Sequence, residues 1–205
     1  MTRRITTGER WVFGATAVIL ALMLIALPFL VPPDNLADFI LMFVVLGLLF
    51  YLARSQTLPL WSYIAVFIVF IAHAGGVLGL FSTIPLGIGY DKWMHFLAGV
   101  GFTAFFFVWL PLKRRWQLLL VALLCLMGLA ALGKIVEFTG TYAFGLNVGG
   151  LIAQGDGQPS TGSPLQKYDT PFDLIFNLGG AVIGLLLATL LQRERKRAPA
   201  AAHSR

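Results

Sequence analysis

The chain has 205 residues, of which 58% are hydrophobic and 12% are charged, and its mean hydropathy is +0.83. An ordinary soluble domain carries about 25% charged residues, so this composition excludes a disordered chain and argues against a water-soluble globule. The net charge of +6 comes from basic residues at the two ends and in short turns between apolar blocks. That distribution is typical of a membrane protein and does not favour a nucleic-acid partner.

Six apolar segments of roughly membrane-spanning length follow one another along the chain. They cover residues 11–31, 37–53, 59–81, 93–111, 116–138 and 172–192. Because unpaired backbone N–H and C=O groups are costly in lipid, each segment is predicted to be a helix. The first segment is long for a signal peptide and lacks a clear cleavage site, so we expect it to be retained. The predicted fold class is an all-α, polytopic transmembrane bundle of six spans, with residues 1–205 as a single membrane domain.

The distribution of basic residues predicts the orientation of this bundle. Twelve of the 15 lysines and arginines fall on one side of the six-span arrangement. The positive-inside rule then places both termini in the cytoplasm, including the basic tail 193–205. The loop 139–170 is expected outside the cell. Its apolar, glycine-rich part, 142–153, is too short to span and is predicted to be re-entrant or interfacial.

Ionisable and amide side chains near the outer ends of the later segments form the candidate site, because such residues are costly in a membrane and usually functional. The helical rise brings them to one layer. The set comprises His73, Asp91, His95, Lys134, Glu137, Asp169, Asp173 and Asn177. A stripe of polar and small residues on the sixth segment is predicted to face the bundle interior. It comprises Asp173, Asn177, Gly180, Gly184 and Ala188.

His95 is the candidate general base, with Asp91 one helical turn before it to orient the imidazole. Glu137 completes the candidate catalytic set. The expected ligand-binding residues are Asp169, Asp173, Asn177, His73 and Lys134, since amide and ammonium groups can bind an oxyanion. Several carboxylates with a histidine can also hold a divalent cation, although the pattern does not define which metal.

Structural explanations remain open for the same residues. Residues 170–173 fit a helix cap with proline in the first turn, and Asp91 also fits an N-cap. Lys134 and Glu137 are three residues apart and can neutralise each other. His73, alone on an apolar face, can be a core residue.

These residues also carry a family resemblance. In chain order, the motif runs Tyr90-Asp91-Lys92-Trp93-Met94-His95-Phe96, Glu137, Gly155-Asp156, and Tyr168-Asp169-Thr170-Pro171-Phe172-Asp173 with Asn177 and Gly180. This pattern resembles the YjdF-like bacterial inner-membrane proteins. The pieces Asp-Lys-x-x-His-Phe and Asp-x-x-x-Asn-x-x-Gly are similar to VanZ-like membrane proteins, some of which are linked to glycopeptide (teicoplanin) resistance. The resemblance implies a multi-pass protein of the bacterial plasma membrane. It supports one set of residues, which comprises Asp91, His95, Glu137, Asp169, Asp173 and Asn177.

We therefore expect a cell-envelope protein with an acidic, outward-facing pocket that handles lipid-linked or amphiphilic molecules. One alternative is a membrane hydrolase or transferase that uses His95 as its general base. Another is a structural bundle or transporter without catalysis. The expected partners are membrane lipids and a lipid-like ligand, while the sequence does not define the oligomeric state.

Overall fold

The computed structural model describes residues 6–30, 36–53, 58–83, 85–144 and 169–201. These residues contain six α-helices. They are α1 (Thr7–Leu30), α2 (Leu36–Ala53), α3 (Leu60–Val77), α4 (Tyr90–Trp109), α5 (Arg115–Phe144) and α6 (Asp169–Ala201). Two short 3-10 turns, Leu80–Ser82 and Pro85–Gly87, connect α3 to α4. The prediction of one helix for each apolar segment is confirmed.

Helix boundaries differ from the prediction at the last two helices. α5 continues to Phe144, so the first residues of the predicted loop 139–170 are helical. α6 begins at Asp169 and continues through the basic stretch to Ala201. Apolar composition marks only the part of a helix that lipid can cover, whereas lysine, arginine and alanine favour a helix beyond it. Residues 145–168, with most of the apolar stretch 142–153, lie outside the described residues.

The outer faces of the helices are apolar. Leu124, Leu132 and Leu186, for example, are 59%, 60% and 56% exposed. Such surface is unfavourable in water and suits contact with lipid. Four helical stretches are long and apolar enough to cross a membrane: Thr7–Ala26, Leu60–Val77, Arg115–Val136 and Thr170–Gln192. The count of six crossings and the cytoplasmic location of both termini stay predictions.

Aromatic contacts show how the first four helices are arranged. Phe13 near the start of α1 lies 5.1 Å from Phe50 near the end of α2, and 5.3 Å from Tyr63 near the start of α3, measured between ring centroids. Tyr63 in turn lies 6.2 Å from Phe105 in the last part of α4. We call this the basic end, because it carries the basic residues 113–115 between α4 and α5. The opposite end, where α4 and α6 begin, is called the cluster end, because a cluster of charged side chains lies there that includes Lys92 and Asp173.

α4 and α6 run side by side in the same direction and approach closely at glycines. A Cβ atom added at Gly180 would overlap the carbonyl oxygen of Phe96, and one at Gly184 would lie 2.5 Å from the carbonyl oxygen of Val100. Small residues four apart allow this backbone contact between membrane helices. The predicted inward stripe is confirmed, since all five of its members are buried: Asp173, Asn177, Gly180, Gly184 and Ala188.

Tyr90 fixes the connection between α3 and α4. Its Oη atom donates a hydrogen bond to the carbonyl oxygen of Ala72 at 3.0 Å, and its backbone N–H donates to the carbonyl oxygen of Thr83 at 3.1 Å.

Tyr90→Phe removes only the first of these bonds, the one from the side chain to Ala72. We expect it to lower the free energy of unfolding by about 1 kcal/mol, measured by titration into a denaturing detergent. Tyr51→Phe is the control, because Tyr51 is 68% exposed; equal effects of the two changes would contradict this role.

Candidate functional site

Asp173 lies at the centre of a group of charged side chains at the cluster end. Its side chain is 1% exposed, and its Oδ1 atom lies 2.7 Å from Nζ of Lys92 on α4. Its Oδ2 atom lies 2.5 Å from Nζ of Lys134 on α5 and 3.1 Å from Nε2 of His95 on α4. Both Oδ2 contacts lie within ion-pair distance and lack hydrogen-bond alignment. One carboxylate on α6 therefore joins three helices.

We call the set around Asp173 the ionic cluster. It comprises Asp91, Lys92, His95, Lys134, Asp173 and Asn177. Five of these six residues were among the candidates from the sequence, and the structure brings them together. The sixth, Lys92, was missed.

Lys92 is one of the most enclosed members of the cluster. Its side chain is 3% exposed, and its Nζ atom bridges Asp91 at 2.6 Å and Asp173 at 2.7 Å. A buried ammonium group is costly unless charged partners surround it, and two carboxylates in the described part of the chain contact Lys92. In the sequence analysis, Lys92 is named only as part of the motif 90–96. The sequence could have identified Lys92 from its position three residues before His95, because this spacing places both side chains on one helical face.

Asp91 does not have the position expected of it. The N-cap of α4 is Gly89, with φ −54° and ψ 141° and no side-chain cap hydrogen bond. Asp91 is the second residue of the helix and contacts Lys92. The N-cap assignment for Asp91 is therefore wrong. A carboxylate in the first turn is still favourable, because it faces the positive end of the helix dipole and here also neutralises a buried ammonium group.

His95 is oriented by two residues of α6. Its Nε2 atom faces Asp173, and its Nδ1 atom lies 3.1 Å from Nδ2 of Asn177. In this arrangement the Asn177 amide donates to Nδ1, so the proton of a neutral imidazole belongs on Nε2, beside the carboxylate. The carboxylate that orients the ring is Asp173 instead of the expected Asp91. The side chain of His95 is 25% exposed, so one edge of the ring is accessible.

The remaining candidates lie around the cluster. The ring of His73 packs against Phe81 with centroids 5.6 Å apart, and Phe81 contacts Tyr90 at 5.9 Å. No described contact joins His73 to Asp173. Glu137 belongs to α5 and Asp169 is the first residue of α6, but both side chains lie outside the described part of the chain.

The ionic cluster is balanced in charge. Its described members include two carboxylates, Asp91 and Asp173, and two ammonium groups, Lys92 and Lys134. The predicted acidic character of the site also depends on Glu137 and Asp169, whose side chains lie outside the described part of the chain. Balance reduces the penalty of holding ions away from water. Among the residues that the structure describes, no group of three or more His, Cys, Asp and Glu side chains is placed to hold a metal ion.

Comparisons with known proteins place the chain in a family. No curated protein and no solved structure matches it. A family model described as "Predicted membrane protein (DUF2238)" matches residues 9–194. This range covers four helices entirely and most of α1 and α6, and it includes every member of the ionic cluster. The chain therefore belongs to this family of membrane proteins.

Proposed function

We propose that this protein binds amphiphilic molecules of the bacterial cell envelope, with an anionic head group held at the ionic cluster and the apolar chain in the bilayer. The observation that carries the proposal is the partial exposure of the cluster. Lys134 and His95 are 14% and 25% exposed, whereas Asp173 beneath them is 1% exposed. A head group can therefore contact an ammonium group and an imidazole without breaking the buried contacts.

The position of the cluster supports an amphiphile over a water-soluble anion. The cluster joins the first turn of α4 to α5 and α6, and both of these helices expose leucine and isoleucine side chains along their outer faces. A molecule bound at Lys134 would keep its chain against that apolar surface. The resemblance to YjdF-like and VanZ-like proteins fits a role in the inner membrane.

A hydrolase or transferase with His95 as general base is less well supported. A general base needs a ring nitrogen directed at the proton that it removes. In the described contacts, Nε2 of His95 faces Asp173 and Nδ1 faces Asn177. Catalysis by this residue would first require Asn177 to release the ring.

A purely structural role is the second candidate, and the burial of Asp173 favours it. A carboxylate that joins three helices can fix their register without binding anything. The two roles predict different results for Lys134→Gln. A structural cluster predicts lower stability with unchanged bound molecules, whereas binding predicts a loss of bound molecules.

Native mass spectrometry of the purified protein tests this proposal. Wild type released from a mild detergent should carry an amphiphile that co-purifies with it. In Lys134→Gln and His95→Ala we expect its occupancy to fall about tenfold, which corresponds to the loss of one charge-assisted contact. Asp173 keeps its contact with Lys92 in both variants, so the fold should persist, and thermal unfolding checks this.

Arg114→Gln provides the matched control, because it removes one exposed positive charge at the opposite end of the bundle. Its co-purified masses should equal those of wild type. If Lys134→Gln and Arg114→Gln retain the same molecules in the same amounts, the proposal is wrong and the structural role is favoured.

A further inference from the structure

A second feature lies at the basic end, far from the ionic cluster. There the end of α4, the start of α5 and the last part of α6 enclose a cavity of about 340 Å³. The apolar residues of its lining include Phe107 and Leu118, and the polar residues include Lys113, Arg115, Thr189 and Gln192. The proposed head-group site at the cluster end does not use this cavity.

The lining is chemically mixed. Two cationic side chains and two neutral hydrogen-bonding groups stand beside apolar residues, and none of the residues that line the described cavity is acidic. Phe107 is 3% exposed, whereas Lys113 and Arg115 are exposed. This combination suits a ligand that carries both a negative charge and an apolar chain. A free inorganic anion would leave the apolar lining residues without a partner.

Tryptophan positions indicate that the basic end lies at a membrane surface. Four of the five tryptophans are found at this end: Trp11 near the start of α1, Trp61 at the start of α3, Trp109 at the end of α4 and Trp116 at the start of α5. Trp11 and Trp116 are 74% and 60% exposed. Tryptophan is enriched at the head-group level of membranes. The cavity therefore lies at the depth of phospholipid head groups.

From this geometry we infer that the cavity binds an anionic phospholipid. Lys113 and Arg115 would contact the phosphate, Thr189 and Gln192 would bind its polar oxygens, and the acyl chains would continue along the apolar lining residues. Basic recesses between membrane helices are suited to acidic head groups. A cavity of this size is at the lower end of the range for small-molecule sites, about 300–1,000 Å³, which suits a head group and not an entire lipid.

The test is a lipid titration of the full-length protein followed by native mass spectrometry. Phosphatidylglycerol and phosphatidylcholine with identical acyl chains are added separately. All proteins in this titration carry Lys134→Gln, which removes the ammonium group proposed to hold a head group at the ionic cluster. With the cavity unchanged, we expect phosphatidylglycerol to bind at least tenfold more tightly. The double variant Lys113→Gln/Arg115→Gln should lose that preference, since each basic residue contributes roughly a factor of five to anionic lipid binding.

Two controls make the result decisive. Arg114→Gln removes an exposed charge between the same two residues without altering the cavity lining, so it should keep the preference. The second control is the Lys134→Gln background common to all of these proteins, which keeps an anionic head group at the ionic cluster from contributing to the preference. A preference that survives in the double variant, or that Arg114→Gln reduces equally, overturns the inference. If the experiment disproves one of the two proposed sites, the proposal for the other site is not affected, because different variants test each site.

Discussion

Replacement of Asp173 with alanine is expected to lower the free energy of unfolding by about 3–5 kcal/mol, more than any other single change in the ionic cluster. The carboxylate is 1% exposed and contacts Lys92, Lys134 and His95. Without it, Lys92, Lys134 and His95 each lose a contact with a carboxylate in a region with little access to water. Leaving charges enclosed and uncompensated is among the most destabilising effects of a substitution.

Asp91→Asn is the matched comparison for this experiment. The Asp91 side chain is 17% exposed, and Lys92 keeps its contact with Asp173 when Asp91 is neutralised. We expect a loss of about 1 kcal/mol or less, measured by the same detergent unfolding titration. If Asp173→Ala costs no more than Asp91→Asn, then Asp173 is not the centre of the cluster.

A double substitution measures the interaction between Lys92 and Asp173 separately from their other contacts. When a charged partner has already been removed, the second removal costs less than it does alone. Lys92→Met should therefore cost less stability in the Asp173→Leu background than it does in wild type. Additive losses would show that Lys92 and Asp173 do not interact in the folded protein.

The second large effect is expected at the contact between α4 and α6. Gly180→Ala should destabilise the protein by about 2–3 kcal/mol, because the new methyl group overlaps the carbonyl oxygen of Phe96. This obstacle is backbone and cannot rotate away. The helices must move apart, which also separates Asp173 from Lys92. Gly180→Leu is expected to prevent correct folding, detected as loss of the monodisperse protein in size-exclusion chromatography.

Neighbouring glycines provide the controls for this substitution. A Cβ atom at Gly179 would lie 3.9 Å from the Phe96 ring, and one at Gly128 on α5 would meet nothing within 4 Å. Gly179→Ala and Gly128→Ala should be neutral or slightly stabilising, since alanine favours a helix over glycine. Equal effects of Gly180→Ala and Gly128→Ala would refute the close packing of α4 on α6.

The sequence predicted the helices and the inward face of α6 well, for identifiable physical reasons. Lipid excludes unpaired backbone, so each long apolar segment had to be helical. The spacing of Asp173, Asn177, Gly180 and Gly184 follows the helical repeat, and close packing selects small residues. Both patterns are local, and local patterns can be seen in one segment of sequence.

The pairing of charges could not be predicted in the same way. Lys92 and Asp173 are separated by 81 positions in the chain, and their contact depends on how α4 packs against α6. Asp91 was expected to orient His95 because the two residues are one turn apart. The close approach of the helices at Gly180 instead places a carboxylate of α6 against the ring. A charged residue at the end of a membrane span can cap a helix, pair with a neighbour on the same helix or contact another helix. The sequence does not distinguish these roles, and the packing of the helices decides between them.

The most direct test of the central claim is a distance measurement between bound amphiphile and lysine in a bilayer. The protein is labelled with 15N at lysine Nζ, carries Lys113→Gln and Arg115→Gln to remove the basic-end cavity, and is reconstituted in phosphorus-free galactolipid. Dodecyl phosphate is then added, and the 31P–15N dipolar coupling is recorded by solid-state NMR. We predict a coupling that disappears when Lys134 is also replaced by glutamine. A coupling that persists without Lys134, or no coupling at saturating dodecyl phosphate, would contradict head-group binding at the ionic cluster.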